Sequence, residues 1–362
     1  MLSENCTADI KKWQSSGMQS SDVSVNLMEV CGTHTMAIAK AGIKRILPKN
    51  IRLLSGPGCP VCVTPAGVID EVLRLSSREE VTIATYGDML RVPGTARGDT
   101  LAARKALGAK VVVVYSPVDA VSIAENNPAK EIVFLGIGFE TTAPGTAAAV
   151  LLAKERKLKN FTVLPLLKTV EPALRTLMAD PAFNVQGFLC PGHVASIIGE
   201  AGFRYLPEEF GMPAVISGFE PEDILLSVRN LMRQIRNGEP RLENEYRRAV
   251  APEGNPKALA VMRKCLEPCH ALWRGLGLIP DSGLGIRSEY EEYNAVKRFQ
   301  IVFPEQEPET ACRCGDVIQG KLDPAHCPLF GTACTPDDPV GPCMVSGEGA
   351  CAAAMKYGSE EE

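Results

Sequence analysis

The sequence predicts an α/β protein with two lobes, each a parallel sheet flanked by helices, that face a cleft, and an irregular cysteine-rich region at the carboxyl end. Three observations support this prediction. From about residue 24 to 236, short β-rich apolar runs alternate with Gly/Pro loops and helix-period segments, which is typical of parallel sheets covered by helices. The tripeptide GFE occurs at 138–140 and at 218–220, each time between a predicted strand and a predicted helix. After Pro304 the alternation stops.

Eight segments have the length and β-rich composition of strands. They are SVNLMEV, IRLLS, VTIATY, KVVVVYS, EIVFLGI, FTVLPLL, VQGFLC and PAVISG. A boundary near 156–160 predicts a first lobe at residues 24–157, with the loops CGTHT, GPGCPVC and GFETT, and a second lobe at 158–250, with PGHVAS and GFEPED. Residues 1–23 and 251–362 are expected to be helical and cysteine-rich, with one amphipathic helix over 256–276.

Composition excludes several classes of protein. The chain has 362 residues, a net charge of -5 and a pI near 5.6, which argue against a surface for nucleic acid or an anionic membrane. The first residues lack an apolar signal segment, and no apolar run approaches the roughly 18 residues that a membrane span needs. We therefore expect a cytoplasmic protein with no membrane or nucleic-acid partner.

Thirteen cysteines are unusual in such a chain. Disulfide scaffolds are short secreted proteins, so this number favours metal binding or thiol redox chemistry. Six of the cysteines follow the spacing C-x-C-x12-C-x6-C-x8-C-x7-C between residues 312 and 351. A [4Fe–4S] cluster needs four thiolates, whereas structural zinc usually takes close C-x2–4-C pairs, which are missing here. The spacing predicts a cluster, whose ligation would help this aperiodic region to fold, but does not choose four ligands from six.

Side chains that can bind metal or take part in catalysis follow the predicted strands, at the edge where ligands bind to α/β sheets. Cys59 and Cys62 stand before a predicted helix with Thr64 as N-cap residue and Pro65 as first residue. The helix dipole there favours thiolate, so the pair suits either redox chemistry or metal binding. A buried, idle pair is the structural alternative.

The CGTHT loop supplies a second candidate site. Cys31 and His34 are both good ligands for iron or zinc, and such pairs also serve in nucleophilic catalysis. Glu140 and His193 lie in matching loops as further candidate catalytic residues, although each of them could equally be a cap or a structural partner. Elsewhere, Cys265 and Cys269 are expected on one face of the 256–276 helix, where they suit a packing role.

Six motifs in order, CGTHT, GPGCPVC, YGDMLRVPG, GFETT, PGHVAS and ISGFEP, together with the tail CRCG…HCPLFGTACTP…GPCMVSGEGAC, resemble the HypD family of hydrogenase maturation proteins. The resemblance covers about residues 24–357. It implies two α/β lobes facing a cleft and a third region with a [4Fe–4S] cluster. It also implies a scaffold, formed with the small chaperone HypC, on which the Fe(CN)2CO group of [NiFe]-hydrogenase is assembled. HypE, carrying a thiocyanate made with the help of HypF, would deliver cyanide, and the hydrogenase large subunit would be reached through HypC.

The resemblance also implies roles for individual cysteines. The family pattern C-x14-C-x6-C-x16-C assigns the cluster to Cys312, Cys327, Cys334 and Cys351. Cys314 and Cys343 are then a redox-capable pair. Cys31 would hold the iron, with Cys59 and Cys62 as the neighbouring redox pair and further metal-site thiols. We hypothesise an electron path from the cluster through Cys314 and Cys343 to Cys59 and Cys62 and on to the iron.

Two readings stay open, and the sequence does not decide whether the scaffold is itself an enzyme. The alternative to the scaffold is a free-standing iron–sulfur thiol/disulfide oxidoreductase that acts on a small molecule, although such a protein has no need of the CGTHT loop. Nucleotide hydrolysis is disfavoured because G-x-x-x-x-G-K-[ST] is missing. Two departures from the family, Tyr293 and Asn294, leave the function of their segment open.

Overall fold

Two β-sheets, one of five strands and one of six, organise residues 24–358, the part of the chain that the computed structural model describes. The strands are β1 Val25–Glu29, β2 Ile51–Ser55, β3 Val81–Thr85, β4 Lys110–Val113, β5 Glu131–Gly138, β6 Phe161–Lys168, β7 Gly187–Pro191, β8 Ala214–Ser217, β9 Leu242–Asn244, β10 Leu266–Trp273 and β11 Gly277–Ile286. The eight predicted strands are all present. The expectation for residues 1–23 lies outside the described residues.

Helices connect most of the strands. They are α1 Gly32–Lys40, α2 Ile43–Ile46, α3 Ala66–Ser76, α4 Leu101–Ala106, α5 Pro117–Asn126, α6 Ala143–Glu155, α7 Val170–Met178, α8 Gly192–Ile198, α9 Tyr205–Phe210, α10 Pro221–Asn237, α11 Pro256–Cys265, α12 Ala295–Arg298, α13 Cys314–Ile318, α14 Pro342–Val345 and α15 Ala350–Tyr357. Short 3₁₀ helices span Gly87–Arg91, Glu200–Phe203, Ser288–Tyr293 and Pro324–His326. None of the helices within residues 24–358 has the length and apolar character that a membrane crossing requires.

The α/β class is confirmed, but the sheets interleave along the chain. The five-stranded sheet has the order β2-β1-β7-β8-β9 and all of its pairings are parallel. The six-stranded sheet has the order β10-β11-β6-β5-β3-β4, in which β3 to β6 are parallel and β10 and β11 are antiparallel. Each sheet takes strands from both sides of the predicted boundary near 156–160, because β1 pairs with β7 and β5 pairs with β6.

The predicted helix over 256–276 is wrong in its second half. Helix α11 ends at Cys265, and the chain continues as the antiparallel hairpin of β10 and β11. Pro268 removes a backbone donor that a helix would need, whereas Leu266 and Trp273 find pairing partners in β11. Cys265 and Cys269 consequently do not share a helix face, since Cys265 ends the helix and Cys269 lies on β10.

Tyr293 and Asn294 have structural roles. Tyr293 is buried in the core of the six-stranded sheet, and Asn294 is the N-cap residue of α12, where its side chain accepts a hydrogen bond of 3.0 Å from the amide of Val296. Tyr293 therefore packs in the core and Asn294 caps a helix, and neither lies on the predicted site loops.

The cysteine-rich region packs on the two sheets and is not an independent unit. Cys314, Ile318 and Cys343 belong to the same apolar core as Cys59 and Cys62 of the strand-to-helix loop after β2. The lobes therefore supply the apolar partners that the region lacks on its own.

Lys168 joins the parallel and antiparallel parts of the six-stranded sheet. The residue pairs with Gly283 of β11, and its buried Nζ donates a hydrogen bond of 2.9 Å to the carbonyl of Leu272. The ammonium also lies 5.3 Å from the ring centre of Trp273. Burial lowers the pKa of Lys168 from 10.5 to about 8.

Replacing Lys168 with Met should remove a pH dependence of stability. The folded protein binds this proton less tightly than the unfolded chain, so the free energy of unfolding of the wild type, taken relative to Lys168→Met, should rise by about 3 kcal/mol between about pH 8 and 10.5. Urea unfolding of both proteins at about pH 7 and about pH 10 measures this difference. A difference that does not change with pH would contradict the buried ammonium.

Candidate metal centre and thiol site

The loops after β1 and β2 meet because the two strands are parallel neighbours. The amide of Gly32 donates a hydrogen bond of 3.0 Å to the carbonyl of Gly58. A side chain at Gly58 would collide with the backbone N and Cα of Cys31, so only glycine allows this approach. The CGTHT and GPGCPVC loops therefore lie side by side.

Cys31 is the N-cap residue of α1 and is buried. Burial raises the pKa of its thiol to about 12, although the backbone N–H of His34 opposes the shift, and the carboxylates of Glu348 and Glu29 add to it. The thiol is therefore protonated at neutral pH until a cation takes the place of the proton.

Glu29 supports this loop from the end of β1, and the sequence analysis missed it. Its Oε2 accepts a hydrogen bond of 3.0 Å from the amide of Cys31, and its Oε1 accepts one from the hydroxyl of Thr35. Burial raises the pKa of the Glu29 carboxyl to about 8 despite these bonds. A charged residue at the end of a buried apolar strand was the available signal.

His34 is buried and has a defined tautomer. Its Nε2 lies 2.9 Å from the carbonyl oxygen of Gly218, which can only accept, so Nε2 carries the proton and Nδ1 keeps its lone pair. Burial lowers the pKa of the ring to about 4, and Nδ1 is buried with no hydrogen-bond partner. Phe219 contacts two imidazoles, and its ring centre lies 4.6 Å from that of His34 and 3.9 Å from that of His193. The structure thus brings His34 and His193 together through a residue that the sequence analysis did not select.

Cys59 and Cys62 form a buried disulfide with a Cα–Cα distance of 5.2 Å, and the amide of Cys62 lies 3.2 Å from the sulfur of Cys59. The predicted N-cap residue Thr64 is wrong by one position. Pro65 is the N-cap residue of α3, and the Thr64 hydroxyl donates instead to the carbonyl of Pro60 at 2.8 Å. The favoured thiolate state of the pair stays a prediction, because both sulfurs are in the disulfide.

The cysteine-rich region completes the site through residues 346–348. Ser346 Oγ lies 3.4 Å from the sulfur of Cys59 and donates to Asp88 at 3.2 Å. The hydroxyl of Thr33, in the CGTHT loop, donates to Glu348 at 2.8 Å. Sequence spacing could not reveal Ser346 and Glu348, because each lies more than 280 residues from its partner in the CGTHT or GPGCPVC loop.

Six thiols of this region face a single cavity. They are Cys312, Cys314, Cys327, Cys334, Cys343 and Cys351. Apolar side chains, among them Val317 and Phe330, complete the walls. The amides of Cys314 and Val340 lie 3.4 Å and 3.3 Å from the sulfurs of Cys312 and Cys334, and hydrogen bonds of this kind tune iron–sulfur clusters. The donor set and the apolar walls fit a [4Fe–4S] cluster.

The thiols surround this cavity and do not meet at one point. Within residues 24–358 no three His, Cys, Asp or Glu side chains are grouped to hold a single metal ion. Cys314 and Cys343 are 2% and 1% exposed, while Cys312, Cys327 and Cys351 are half-buried. Burial acts to raise the pKa of Cys314, but hydrogen bonds with the thiols of Cys312 and Cys343 lower it well below its ordinary range.

Glu140 lies in the loop after β5 of the six-stranded sheet and contacts the start of α7. Its Oε1 accepts a hydrogen bond of 2.9 Å from the amide of Val170 at the start of α7, and Oε2 is buried with no hydrogen-bond partner. Burial raises the pKa of the carboxyl to about 7. Its observed role is to hold the N-terminus of α7, where an acid is favoured by the dipole.

Comparison with known proteins places the chain among hydrogenase maturation factors. Residues 3–358 match the family model HypD, described as the hydrogenase formation hypA family. The chain is 44% identical over 338 residues to the hydrogenase maturation factor HypD2 of Bradyrhizobium diazoefficiens, covering 91% of this chain and 89% of the relative. It is 45% identical over 347 residues to the hydrogenase expression/formation protein HupD of Azotobacter chroococcum, covering 93% and 90%. It is 42% identical over 339 residues to the hydrogenase maturation factor HypD of Escherichia coli, again covering 93% and 90%.

Gly58→Ala should displace the loop that joins the two thiol sites. The new methyl group meets backbone atoms of Cys31 that cannot move independently, so we expect the free energy of unfolding to fall by about 2 kcal/mol or more. Gly87→Ala is the matched control, because it lies in another strand-to-helix loop where an added Cβ meets only Val113 at 3.9 Å. Equal stability of the two variants in urea unfolding would rule out the close approach.

Proposed function

The chain belongs to the HypD family of hydrogenase maturation factors, and from this premise we propose that it forms, with a small HypC-like chaperone, the scaffold on which the Fe(CN)2CO group of a [NiFe]-hydrogenase is assembled. One observation carries the proposal. The loops that carry Cys31 and the Cys59/Cys62 disulfide are joined by the Gly32–Gly58 hydrogen bond. Residues 346–348 of the cysteine-rich region join them through the Thr33–Glu348 hydrogen bond and the 3.4 Å contact of Ser346 with Cys59. The proposed iron ligand, the proposed redox pair and a segment of the cysteine-rich region therefore lie close together.

Cys31 is the proposed ligand of the iron, which is the cargo of this scaffold. Iron with cyanide and carbonyl ligands favours soft donors, and a thiolate is soft. Iron binding must release the Cys31 proton, because burial keeps the thiol protonated. Glu29 and the amide of Gly32 hold the loop so that the sulfur stays at the N-terminus of α1.

Cys59 and Cys62 are proposed to supply electrons for cyanide transfer. HypE would present a thiocyanate, R–S–CN, and release of cyanide from the S–CN bond consumes two electrons. The dithiol provides them, because R–S–CN plus two thiols gives R–SH, cyanide, one proton and the Cys59/Cys62 disulfide. The oxidised pair in the structure corresponds to the product side of this step.

The cysteine-rich region is proposed to hold the resident cofactor. Cys312, Cys327, Cys334 and Cys351 would ligate a [4Fe–4S] cluster, which supplies electrons one at a time. Cys314 and Cys343 then remain as a thiol pair, and both are the most buried thiols of the cavity. Cys343 lies on α14, whose C-cap residue Ser346 contacts Cys59, so α14 links the cavity to the disulfide.

His34, His193 and Glu140 are proposed to support the reaction. The His193 ring stacks on Phe219 and the His34 ring is tilted against it, and the lone pair of His34 Nδ1 is available to accept a hydrogen bond. Glu140 acts from the six-stranded sheet, where it holds α7 and where the neighbouring Phe139 stacks on Trp273 at 5.9 Å.

The Cys59/Cys62 disulfide also favours a second candidate function, an iron–sulfur thiol/disulfide oxidoreductase that acts on a small molecule. The two functions differ in their partners. The scaffold must bind a HypC-like chaperone, meet HypE transiently and reach the hydrogenase large subunit through HypC. A pull-down that retains no small HypC-like protein would favour the oxidoreductase.

Cys31→Ser should abolish binding of the iron cargo and leave the fold intact. Serine is a harder and far less acidic donor than cysteine, so the variant, purified with its HypC-like partner, should show none of the infrared bands of iron-bound cyanide and carbonyl. Its brown iron–sulfur absorbance should match that of the wild type. The control is Cys269→Ser, since Cys269 is a half-buried cysteine on β10, and this variant should keep both signals. Normal bands in Cys31→Ser would remove Cys31 from the site.

Substitutions of the six cavity cysteines should distinguish cluster ligands from redox thiols. Cys327→Ala should lose the brown absorbance and loosen the region around its cavity, because a [4Fe–4S] cluster needs four thiolates. Cys314→Ser should keep the absorbance but impair maturation, because Cys314 is proposed to carry electrons and not to bind iron. Iron and sulfide content of the two purified proteins distinguishes them. Full cluster content in the first variant, or cluster loss in the second, would show that the four ligands are chosen wrongly.

A further inference from the structure

We propose that Arg274, in the turn between β10 and β11, is a positioning residue. It holds the loop of the Cys59/Cys62 redox pair next to the cysteine-rich region, so that electrons can pass between them, and it sets the reduction potential of the cluster proposed in that region. The inference rests on the redox function proposed above and adds to it Arg274 and the turn that carries it. The six-stranded sheet would thereby contribute directly to the thiol site, through a hairpin that shares no strand pairing with β1 or β2.

Arg274 holds the backbone of the loop that carries Cys62. Its guanidinium and its amide bind the carbonyls of three consecutive residues. Nε donates to Cys62 at 3.1 Å, the backbone amide donates to Val63 at 2.9 Å, and Nη2 donates to Thr64 at 2.8 Å. The residue is 4% exposed, so solvent competes little for these bonds. Arg274 thus holds the part of the loop that contains Cys62, through its side chain and its backbone.

The same turn packs on the helix that carries Cys314. A side chain at Gly275 would collide with Gly315 of α13, so the two backbones touch. Gln319, which follows α13, donates to the carbonyl of Gly275 at 2.8 Å. The guanidinium charge is close enough to act on the thiols of Cys312 and Cys314. Arg274 therefore lies between the disulfide loop and the cavity of thiols.

The charge of Arg274 is paired with the carboxylate of Glu307. Nη1 lies 3.1 Å from Glu307, whose other carboxylate oxygen accepts from the amide of Gly275 at 2.8 Å. A buried cation beside the thiols favours the more negative state of a cluster, and net charge is one of the factors that set cluster potentials. Loss of the cation should make the potential of the cluster more negative, and loss of Glu307 should make it more positive.

Arginine is required here for its shape as well as its charge. Its planar fork donates in several directions at once, whereas a lysine ammonium is a compact charge on a flexible stem. Arg274→Lys keeps the charge but cannot hold the carbonyls of Cys62 and Thr64 together. The lysine variant therefore separates the effect of charge from the effect of position.

The experiment uses brown full-length protein with its cluster, reduced anaerobically with dithionite. Reduction of the Cys59/Cys62 disulfide takes two electrons and two protons, and alkylation followed by mass spectrometry reports the free thiols over time. Cys327→Ala protein measures reduction of the disulfide by dithionite alone. A redox titration followed by electron paramagnetic resonance gives the midpoint potential of the cluster, which does not depend on maturation activity.

We expect Arg274→Met to shift the midpoint to more negative values and to slow disulfide reduction at least about tenfold. Arg274→Lys should keep the midpoint near that of the wild type while reduction stays slow. Glu307→Gln should move the midpoint in the positive direction at an unchanged rate. Arg74→Gln is the surface control, because Arg74 on α3 is half-exposed, is paired with Glu71 and does not line the cavity of thiols, and its rate should also be unchanged.

The outcomes separate this inference from the proposed function. If the disulfide of the wild type is reduced no faster than that of Cys327→Ala, the proposed function fails. If the wild type shows cluster-dependent reduction and Arg274→Lys matches its rate, only the role of Arg274 is overturned. Because Met leaves Glu307 without its partner, Arg274→Met/Glu307→Gln is prepared in parallel. If neither protein folds, the lysine variant alone decides.

Discussion

The close approach of three backbone segments around Cys31 is the constraint on which the rest of the structure depends. Parallel pairing of β1 with β2 brings the first two segments to one sheet edge, and Gly58 lets one backbone pack directly on the other. The third segment, residues 346–348, reaches the same point because Gly32 has no side chain to hold Glu348 away. The packing of the cysteine-rich region on the loop after β1 and the contact between Cys59 and Ser346 depend on this arrangement.

Burial shifts the pKa values of three side chains at the site in favour of their neutral forms. The pKa values of Cys31, about 12, Glu29, about 8, and His34, about 4, all move in the direction that favours the neutral form at pH 7. The site therefore presents a thiol, a carboxyl group and a neutral imidazole, with little solvent to screen a charge that enters. The low dielectric strengthens the hydrogen bonds that hold the loops.

Local signals predicted much of the fold, and long-range contacts account for what they missed. The eight strands were visible because each is a short β-rich run between Gly/Pro loops, and adjacent loops placed Cys31 beside Cys59. The division of the sheets was not visible, because β1 pairs with β7 across some 160 residues. Residues 266–276 come directly after helix α11, and their sequence alone predicted that the helix continues. They belong to a hairpin because β11 pairs with the edge of β6, a contact distant in sequence. Arg274, Ser346 and Phe219 belong to the site through tertiary contacts that no spacing records.

The central claim is that one site holds both a Cys31-bound iron and the thiols that serve it. The most direct measurement is the Mössbauer spectrum of ⁵⁷Fe-enriched wild-type protein, purified anaerobically with its HypC-like partner. The account predicts two iron environments, those of a [4Fe–4S] cluster and of a separate low-spin iron, with the second lost when the partner pair is prepared without the enzymes that supply cyanide. A spectrum that contains cluster iron alone under maturing conditions would contradict it.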